Sequence, residues 1–67
     1  MDKEFFEPLI GKQVSVDYNQ GSKHSFIEGE VLKVTDIYVS IGNEDCMICV
    51  KYASITSIRI MTNEGKH

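Results

Sequence analysis

The stretch that decides the fold is "SFIEGEVLKVTDIYVSI", residues 25–41, in which apolar and polar side chains alternate. Such a period of two is typical of a β-strand with one buried face. Gly29 and Val31 fall on one face, and the alternation then changes phase because Leu32 and Val34 are also apolar. A change of phase shortly after a glycine predicts a β-bulge or a sharp bend, as occurs where a small sheet curls.

Segments on both sides of this stretch repeat the same pattern. "KQVSVDY", residues 12–18, precedes it, whereas "CMICVKY", residues 46–52, and "ASITSIRIM", residues 53–61, follow it. Segments rich in Asn, Gly, Ser and Asp separate these runs and are typical of turns. Because residues 25–41 hold two strands, the sequence predicts five strands in total.

The N-terminal segment "DKEFFEPLIG", residues 2–11, predicts about two helical turns that begin at Asp2 as an N-cap. Its apolar residues fall at roughly helical spacing, so we expect this helix to lie on the sheet. We therefore predict one mostly β domain over residues 1–67: a short helix at about 2–10, a five-stranded, strongly bent antiparallel barrel at about 12–61, and a frayed tail at 62–67.

The length and charge of the chain restrict its function. A domain of 67 residues buries only about 60% of the surface that its unfolded chain exposes, so a partner subunit is expected to add stability. Ordering costs roughly 1.5 kcal/mol per residue, which so small a core barely offsets. The formal net charge of -3 argues against a broad electrostatic footprint on nucleic acid but leaves a local basic spot open.

The two cysteines, Cys46 and Cys49, form a C-x-x-C pattern inside a predicted strand. Residues three apart in a strand point to opposite faces and lie roughly 10 Å apart, too far for a disulfide within one chain. A structural zinc site needs further ligands that the chain does not group nearby. We expect one thiol in the core and one outside, while a disulfide between subunits stays an alternative.

Enzymatic and membrane functions find little support in the sequence. Glu28 and Glu30 share a strand face that solvent exposure explains, and His24 lies in a polar turn. No phosphate loop, nucleophile motif or metal-ligand cluster is present, so we expect no catalytic residues, no metal and no cofactor. No apolar run reaches 18 residues and no signal peptide is recognisable, so we expect a cytoplasmic protein without a membrane partner.

Two segments carry a resemblance to the Sm-like (LSm) family, and within it to the bacterial Hfq type. "GEVLKVTDIYVSI", residues 29–41, resembles the first family motif, a bent strand with a glycine, then Asp, one residue, an aromatic and an apolar strand. "VKYASITSI", residues 50–58, resembles the second motif of the Hfq type, which reads Tyr-Lys-His before a small residue and an isoleucine-rich turn. The resemblance covers about residues 4–60. It extends to small Sm-like proteins of spore-forming bacteria, for which an RNA role is not implied.

The resemblance implies a homo-oligomeric ring of six or seven subunits in which the fourth strand of one copy pairs with the fifth strand of the next. It also implies an RNA-binding site for single-stranded RNA around a central pore. By position, Tyr38 matches the residue that stacks on a base and Lys51 matches the basic residue. Tyr52 stands where the Hfq type has His.

This sequence departs from the Hfq type in ways that favour a second function. Ile37 replaces the Gln beside the aromatic and cannot hydrogen-bond a base, while Tyr52 cannot become cationic as the His can. The turn "NQGSKHS", residues 19–25, is longer than in the family. The alternative is therefore a self-assembling or protein-binding Sm-like adaptor without RNA activity. The simpler interpretation is that Tyr38 is a half-exposed aromatic residue on a strand and Lys51 a solvent-facing lysine, neither of which binds RNA.

Overall fold

A computed structural model of the protein describes residues 2–43 and 45–61. A short helix and a 3-10 turn precede five strands, and a second 3-10 turn joins the last two strands. The bounds are α1 (Lys3–Phe6), the first turn (Glu7–Leu9), β1 (Gln13–Gln20), β2 (Lys23–Val34), β3 (Tyr38–Gly42), β4 (Met47–Lys51), the second turn (Tyr52–Ser54) and β5 (Ile55–Met61). This confirms the predicted mostly β fold, whereas the predicted frayed tail at 62–67 lies outside the described residues. Within them, no helix has the length and apolar character needed to cross a membrane.

The five strands form one antiparallel sheet in the order β4-β3-β2-β1-β5. In a flat sheet the two outer strands of five would lie about 19 Å apart, since neighbouring strands are about 4.8 Å apart. Only the three residues Tyr52–Ser54 link β4 to β5, and four steps of an extended chain span at most about 14 Å. The sheet therefore has to curl, as predicted. It does not close, because β4 and β5 do not pair with each other in the described part of the chain.

The core lies on one face of the curled sheet and is covered by the N-terminal helix. The helix begins at Asp2, whose carboxylate accepts a hydrogen bond from the Phe5 backbone N–H at 3.3 Å. Phe6 is completely buried, and its ring stacks on Tyr52 with the centroids 5.6 Å apart. The buried apolar side chains are Phe6, Leu9, Val14, Val16, Val31, Val39, Ile41 and Val50.

The predicted change of phase in β2 is a bulge. The pairing of β2 with β3 shifts register between Val31 and Lys33, which leaves Leu32 as the extra residue. Val31 is buried and Val34 packs against the same core, although an uninterrupted strand would place residues three apart on opposite faces. The bulge therefore lets both halves of this long strand contribute to one core.

The turn between β3 and β4 fits closely against β2 at a pair of glycines. Gly42 has a φ of +153°, and a Cβ atom there would lie 2.1 Å from the Cys46 carbonyl oxygen. A Cβ atom on Gly29 would lie 3.0 Å from the Gly42 Cα atom. Neither position has room for a side chain, so both require glycine at the point where β3 ends and the chain reverses.

The prediction that one cysteine is buried is wrong. Both Cys46 and Cys49 are exposed, and both thiols are free. Cys46 precedes β4 rather than lying inside it, and Cys49 lies on the outer side of an edge strand. Its sulfur is 3.4 Å from the Ser40 hydroxyl oxygen. The period-two argument assumed that both cysteines lie in the strand, but β4 begins at Met47, one residue after Cys46.

Two adjacent phenylalanines test the role of the helix in the core. Phe6→Ala removes a completely buried ring and is expected to lower the free energy of unfolding by about 3–5 kcal/mol. Phe5→Ala is the matched control, because the Phe5 ring is 43% exposed and should cost much less. Urea unfolding followed by circular dichroism measures both. Equal losses for the two variants would show that the helix does not cover the core as described.

Candidate functional site

Two of the three predicted site residues lie together on the outer face of the sheet. Tyr38 begins β3 and stands opposite Lys51, the last residue of β4. The neighbouring pair, Val39 and Val50, is buried, so Tyr38 and Lys51 point away from the core. Directly opposite residues have their Cβ atoms about 4.5–5.5 Å apart. A flat ring and a cation are thus side by side on an accessible surface.

The third predicted residue, Tyr52, has a different environment. Its ring stacks on Phe6 with an angle of 19° between the two planes. Its hydroxyl donates a hydrogen bond to the Thr35 carbonyl oxygen at 2.5 Å. The aromatic face and the polar end of Tyr52 are therefore both engaged inside the protein, where they join α1, the second 3-10 turn and the connection between β2 and β3.

Thr35 organises the connection between β2 and β3 that leads into Tyr38. Its hydroxyl accepts hydrogen bonds from the backbone N–H groups of Ile37 and Tyr38, at 3.2 and 3.0 Å, and donates to the Tyr38 carbonyl oxygen at 3.0 Å. The Thr35 side chain thus provides hydrogen-bond partners for backbone groups that would otherwise need a neighbouring strand. It leaves the Ile37 side chain 64% exposed beside the Tyr38–Lys51 pair.

Acidic residues lie around Tyr52 and give its surroundings a negative charge. Burial of the ring is the main cause that raises the pKa of Tyr52 above 10.0, and the negative charges of Asp2, Asp36 and Glu7 add to it. The ammonium of Lys3 lies 3.4 Å from the Asp36 carboxylate, so the negative charge of Asp36 is partly balanced. A phosphate group approaching Tyr52 would meet repulsion, whereas Lys51 offers attraction on the outer face.

The two outer strands present a further surface that the sequence did not reveal. On the core face, Ile48 in β4 stands opposite Ile41, and Ile60 in β5 stands opposite Val14. The inner partners are completely buried, but Ile48 is 39% and Ile60 is 45% exposed. Met47 and Met61, one on each of these strands, are also exposed. Each edge therefore continues the core but lacks a cover in the described part of the chain.

The composition of these surfaces limits their chemistry. No group of three or more His, Cys, Asp or Glu side chains in residues 2–43 and 45–61 is arranged to hold a metal ion. Comparison with protein-family models, with curated proteins and with solved structures finds no match to this chain. The surfaces themselves, a Tyr-Lys pair and two apolar sheet edges, are therefore the basis for inferring function.

The position of Tyr52 predicts a specific response of stability to pH. Tyr52→Phe removes a part-buried hydrogen bond, which should cost about 1 kcal/mol at neutral pH. Because the pKa of Tyr52 is raised in the folded state, wild-type stability from this proton is complete below pH 10 and is lost as the pH rises through the raised pKa. The difference between wild type and Tyr52→Phe should therefore shrink above pH 10.

Urea unfolding at a series of pH values checks this, with Tyr38→Phe as the control that keeps the Tyr52 phenol. The control should show the same alkaline loss as wild type. A constant difference between wild type and Tyr52→Phe across the whole range would contradict the described burial of Tyr52.

Proposed function

We propose that this protein is a self-assembling β-sheet module whose copies join head to tail, β4 of one copy pairing with β5 of the next. The observation that supports this is that, within residues 2–43 and 45–61, β4 and β5 each have one edge without a paired strand. Each also carries a core-facing isoleucine that is only partly covered, Ile48 in β4 and Ile60 in β5. An interface between two different surfaces of the same chain is heterologous and closes into a ring when the rotation between copies allows it.

Physical arguments favour covering these edges. An open sheet edge exposes a row of backbone N–H and C=O groups that readily pair with another chain. Proteins often block such an edge with charged residues, but β4 presents Met47, Ile48 and Cys49 in succession before Lys51. Pairing β4 with β5 would satisfy both rows of backbone groups. It would also add apolar burial, which a chain of 67 residues needs.

The resemblance to the Sm-like family supports the same arrangement and suggests six or seven copies in the ring. In this arrangement every copy contributes one Tyr38–Lys51 pair to a repeated surface. The proposed function is therefore an adaptor ring, and what it binds depends on that repeated surface.

Single-stranded RNA is the second candidate, favoured by the Tyr38–Lys51 pair on the outer face. A tyrosine ring that stacks on a base contributes about 1–3 kcal/mol, and a neighbouring lysine attracts phosphate. Two features weigh against it. Tyr52 is engaged with Phe6 and Thr35, and acidic residues surround it. An RNA site would thus consist of Tyr38 and Lys51 without Tyr52.

The head-to-tail arrangement predicts the effect of charges at the two edges. Ile48→Glu and Ile60→Glu should each abolish the ring-sized species in light scattering, because each places a carboxylate in the pairing interface. Ile37→Glu is the matched control, an exposed isoleucine outside both edges, and should leave the mass unchanged.

Mixing the two edge variants separates this arrangement from a symmetric one. Each variant keeps one intact edge of the opposite kind, so an equimolar mixture should form a complex that neither variant forms alone. A wild-type protein without any ring-sized species at micromolar concentration would overturn the proposal.

The RNA candidate predicts binding of short oligo-U or oligo-A that weakens as the salt concentration rises. Tyr38→Ala and Lys51→Ala should each weaken binding at least tenfold, provided that light scattering shows an unchanged oligomer. Lys12→Ala serves as the control for general charge, because Lys12 is exposed and lies before β1. Absence of binding by wild-type protein at low salt would exclude RNA and leave the adaptor function in place.

A further inference from the structure

The N-terminal half of β2 has a third unpaired edge in the described residues. β2 pairs with β1 from Lys23 to Glu30, but it pairs with β3 only from Glu30 to Val34. The reason is the tight turn at Gly42, which ends β3 opposite Glu30. In the described residues, the segment from Lys23 to Gly29 therefore has a neighbouring strand on one side only. Only the tip of the β1–β2 hairpin, beyond Tyr18, extends past the pairing of β1 with β5.

The backbone groups that point to this free edge can be identified from their neighbours. Val31 donates its N–H to the Lys12 carbonyl oxygen at 3.0 Å, and its carbonyl accepts the Gly11 N–H at 2.9 Å, so its backbone faces β1. Backbone direction alternates along a strand. Gly29, Ile27 and Ser25 therefore face β1 as well. The residues between them, His24, Phe26 and Glu28, direct their N–H and C=O groups to the free edge.

The side chains of these three residues form a pattern that is complementary to itself. All three are exposed and lie on the same face of β2, because they are two residues apart. Phe26, at the centre, is 63% exposed. The imidazole of His24 and the carboxylate of Glu28 flank it at equal distances along the strand, and His24 Nε2 lies 3.8 Å from the Asp17 carboxylate of its own chain.

We propose that this edge pairs with the same edge of a second copy, antiparallel and around a two-fold axis at Phe26. Phe26 then stands opposite the partner's Phe26, and His24 opposite the partner's Glu28. All three residue pairs have outward-facing backbone groups, so each pair exchanges both of its N–H···O bonds. An isologous interface of this kind requires a self-complementary surface, which the His-Phe-Glu pattern supplies.

Other registers are less favourable for physical reasons. A shift that centres the axis on Glu28 places two carboxylates opposite each other, and one that centres it on His24 places two imidazoles together. Centring the axis on Ser25 or Ile27 also gives a regular ladder, with a non-hydrogen-bonded pair at the axis. It places Phe26 opposite the partner's His24 or Glu28, so the two rings no longer stand opposite each other and His24 no longer faces Glu28. The axis at Phe26 is therefore the register that joins the aromatic contact with the His24–Glu28 pairing.

This contact is independent of the proposed ring, since it uses β2 rather than β4 or β5. If both contacts form, the β2 edges link chains of separate rings. If the ring does not form, the β2 contact gives a dimer.

Cysteine cross-linking tests the register directly. In a background in which the exposed Cys46 and Cys49 are replaced by Ser, Phe26→Cys places two thiols on residues whose Cα atoms are about 5.5 Å apart, within the range of about 4.4–6.8 Å that a disulfide allows. Diamide as the oxidant takes two electrons and two protons from the thiol pair. Phe26→Cys should form a covalent dimer at least tenfold faster than His24→Cys or Glu28→Cys alone.

The two flanking variants provide the matched control. In the proposed register, a thiol at position 24 lies about 13 Å along the strand from its counterpart but directly opposite position 28. A mixture of the two variants should therefore form a mixed disulfide dimer rapidly. Equal rates at all three positions, or no dimer with Phe26→Cys while circular dichroism shows a folded protein, would overturn the proposal.

Mass measurements separate this contact from the ring. Phe26→Glu should reduce the wild-type assembly to single rings, whereas Ile48→Glu should reduce it to a dimer and the double variant to a monomer. Phe5→Glu, another exposed phenylalanine, is the control and should keep the wild-type mass. No change with Phe26→Glu would overturn the β2 contact. No change with Ile48→Glu would overturn the ring alone.

Discussion

The constraint on which the rest of the structure depends is the short connection between β4 and β5. These strands stand at opposite ends of the sheet order, yet only Tyr52–Ser54 separates them along the chain. The sheet must therefore curl until its two ends approach each other. Curling creates the concave face that holds the core, and Phe6 fills the open end of that face by stacking on Tyr52. A residue of the connection itself thus anchors the helix that covers the core.

The same constraint explains why apolar side chains are left exposed at the edges. The chain brings β4 and β5 near each other but does not pair them within the described residues. Ile48 and Ile60 consequently belong to the core face and are still accessible. The turn at Gly42 has a related effect on β2, because it ends β3 early and leaves the N-terminal half of β2 paired with β1 alone among the described residues. The unpaired edges among the described residues therefore result from two connections, the one between β4 and β5 and the turn at Gly42.

The order of elements could be predicted from residue periodicity, and so could the bulge in β2. Both follow from local patterns, such as the phase change between Val31 and Val34. The burial of one cysteine was predicted wrongly, because the strand was expected to begin at Cys46, whereas β4 begins at Met47. Strand alternation therefore does not apply to Cys46 and does not bury it. The predicted RNA-binding role of Tyr52 rested on its position in a motif. The apolar face of α1 was the only sign in the sequence that Phe6 needs an aromatic partner in the core.

The sequence by itself determined the strand segments, the helix start at Asp2 and the apolar faces, because each depends on side chains a few residues apart. Only the tertiary structure decided which of these segments became edges, which aromatic rings stayed accessible, and which charges came together. Tyr38 and Lys51 are neighbours because β3 and β4 pair in one particular register, and Tyr52 is engaged because the curled sheet brings Phe6 and Thr35 to it. These relations depend on residues that are distant in the chain, and a local pattern carries no information about such distances.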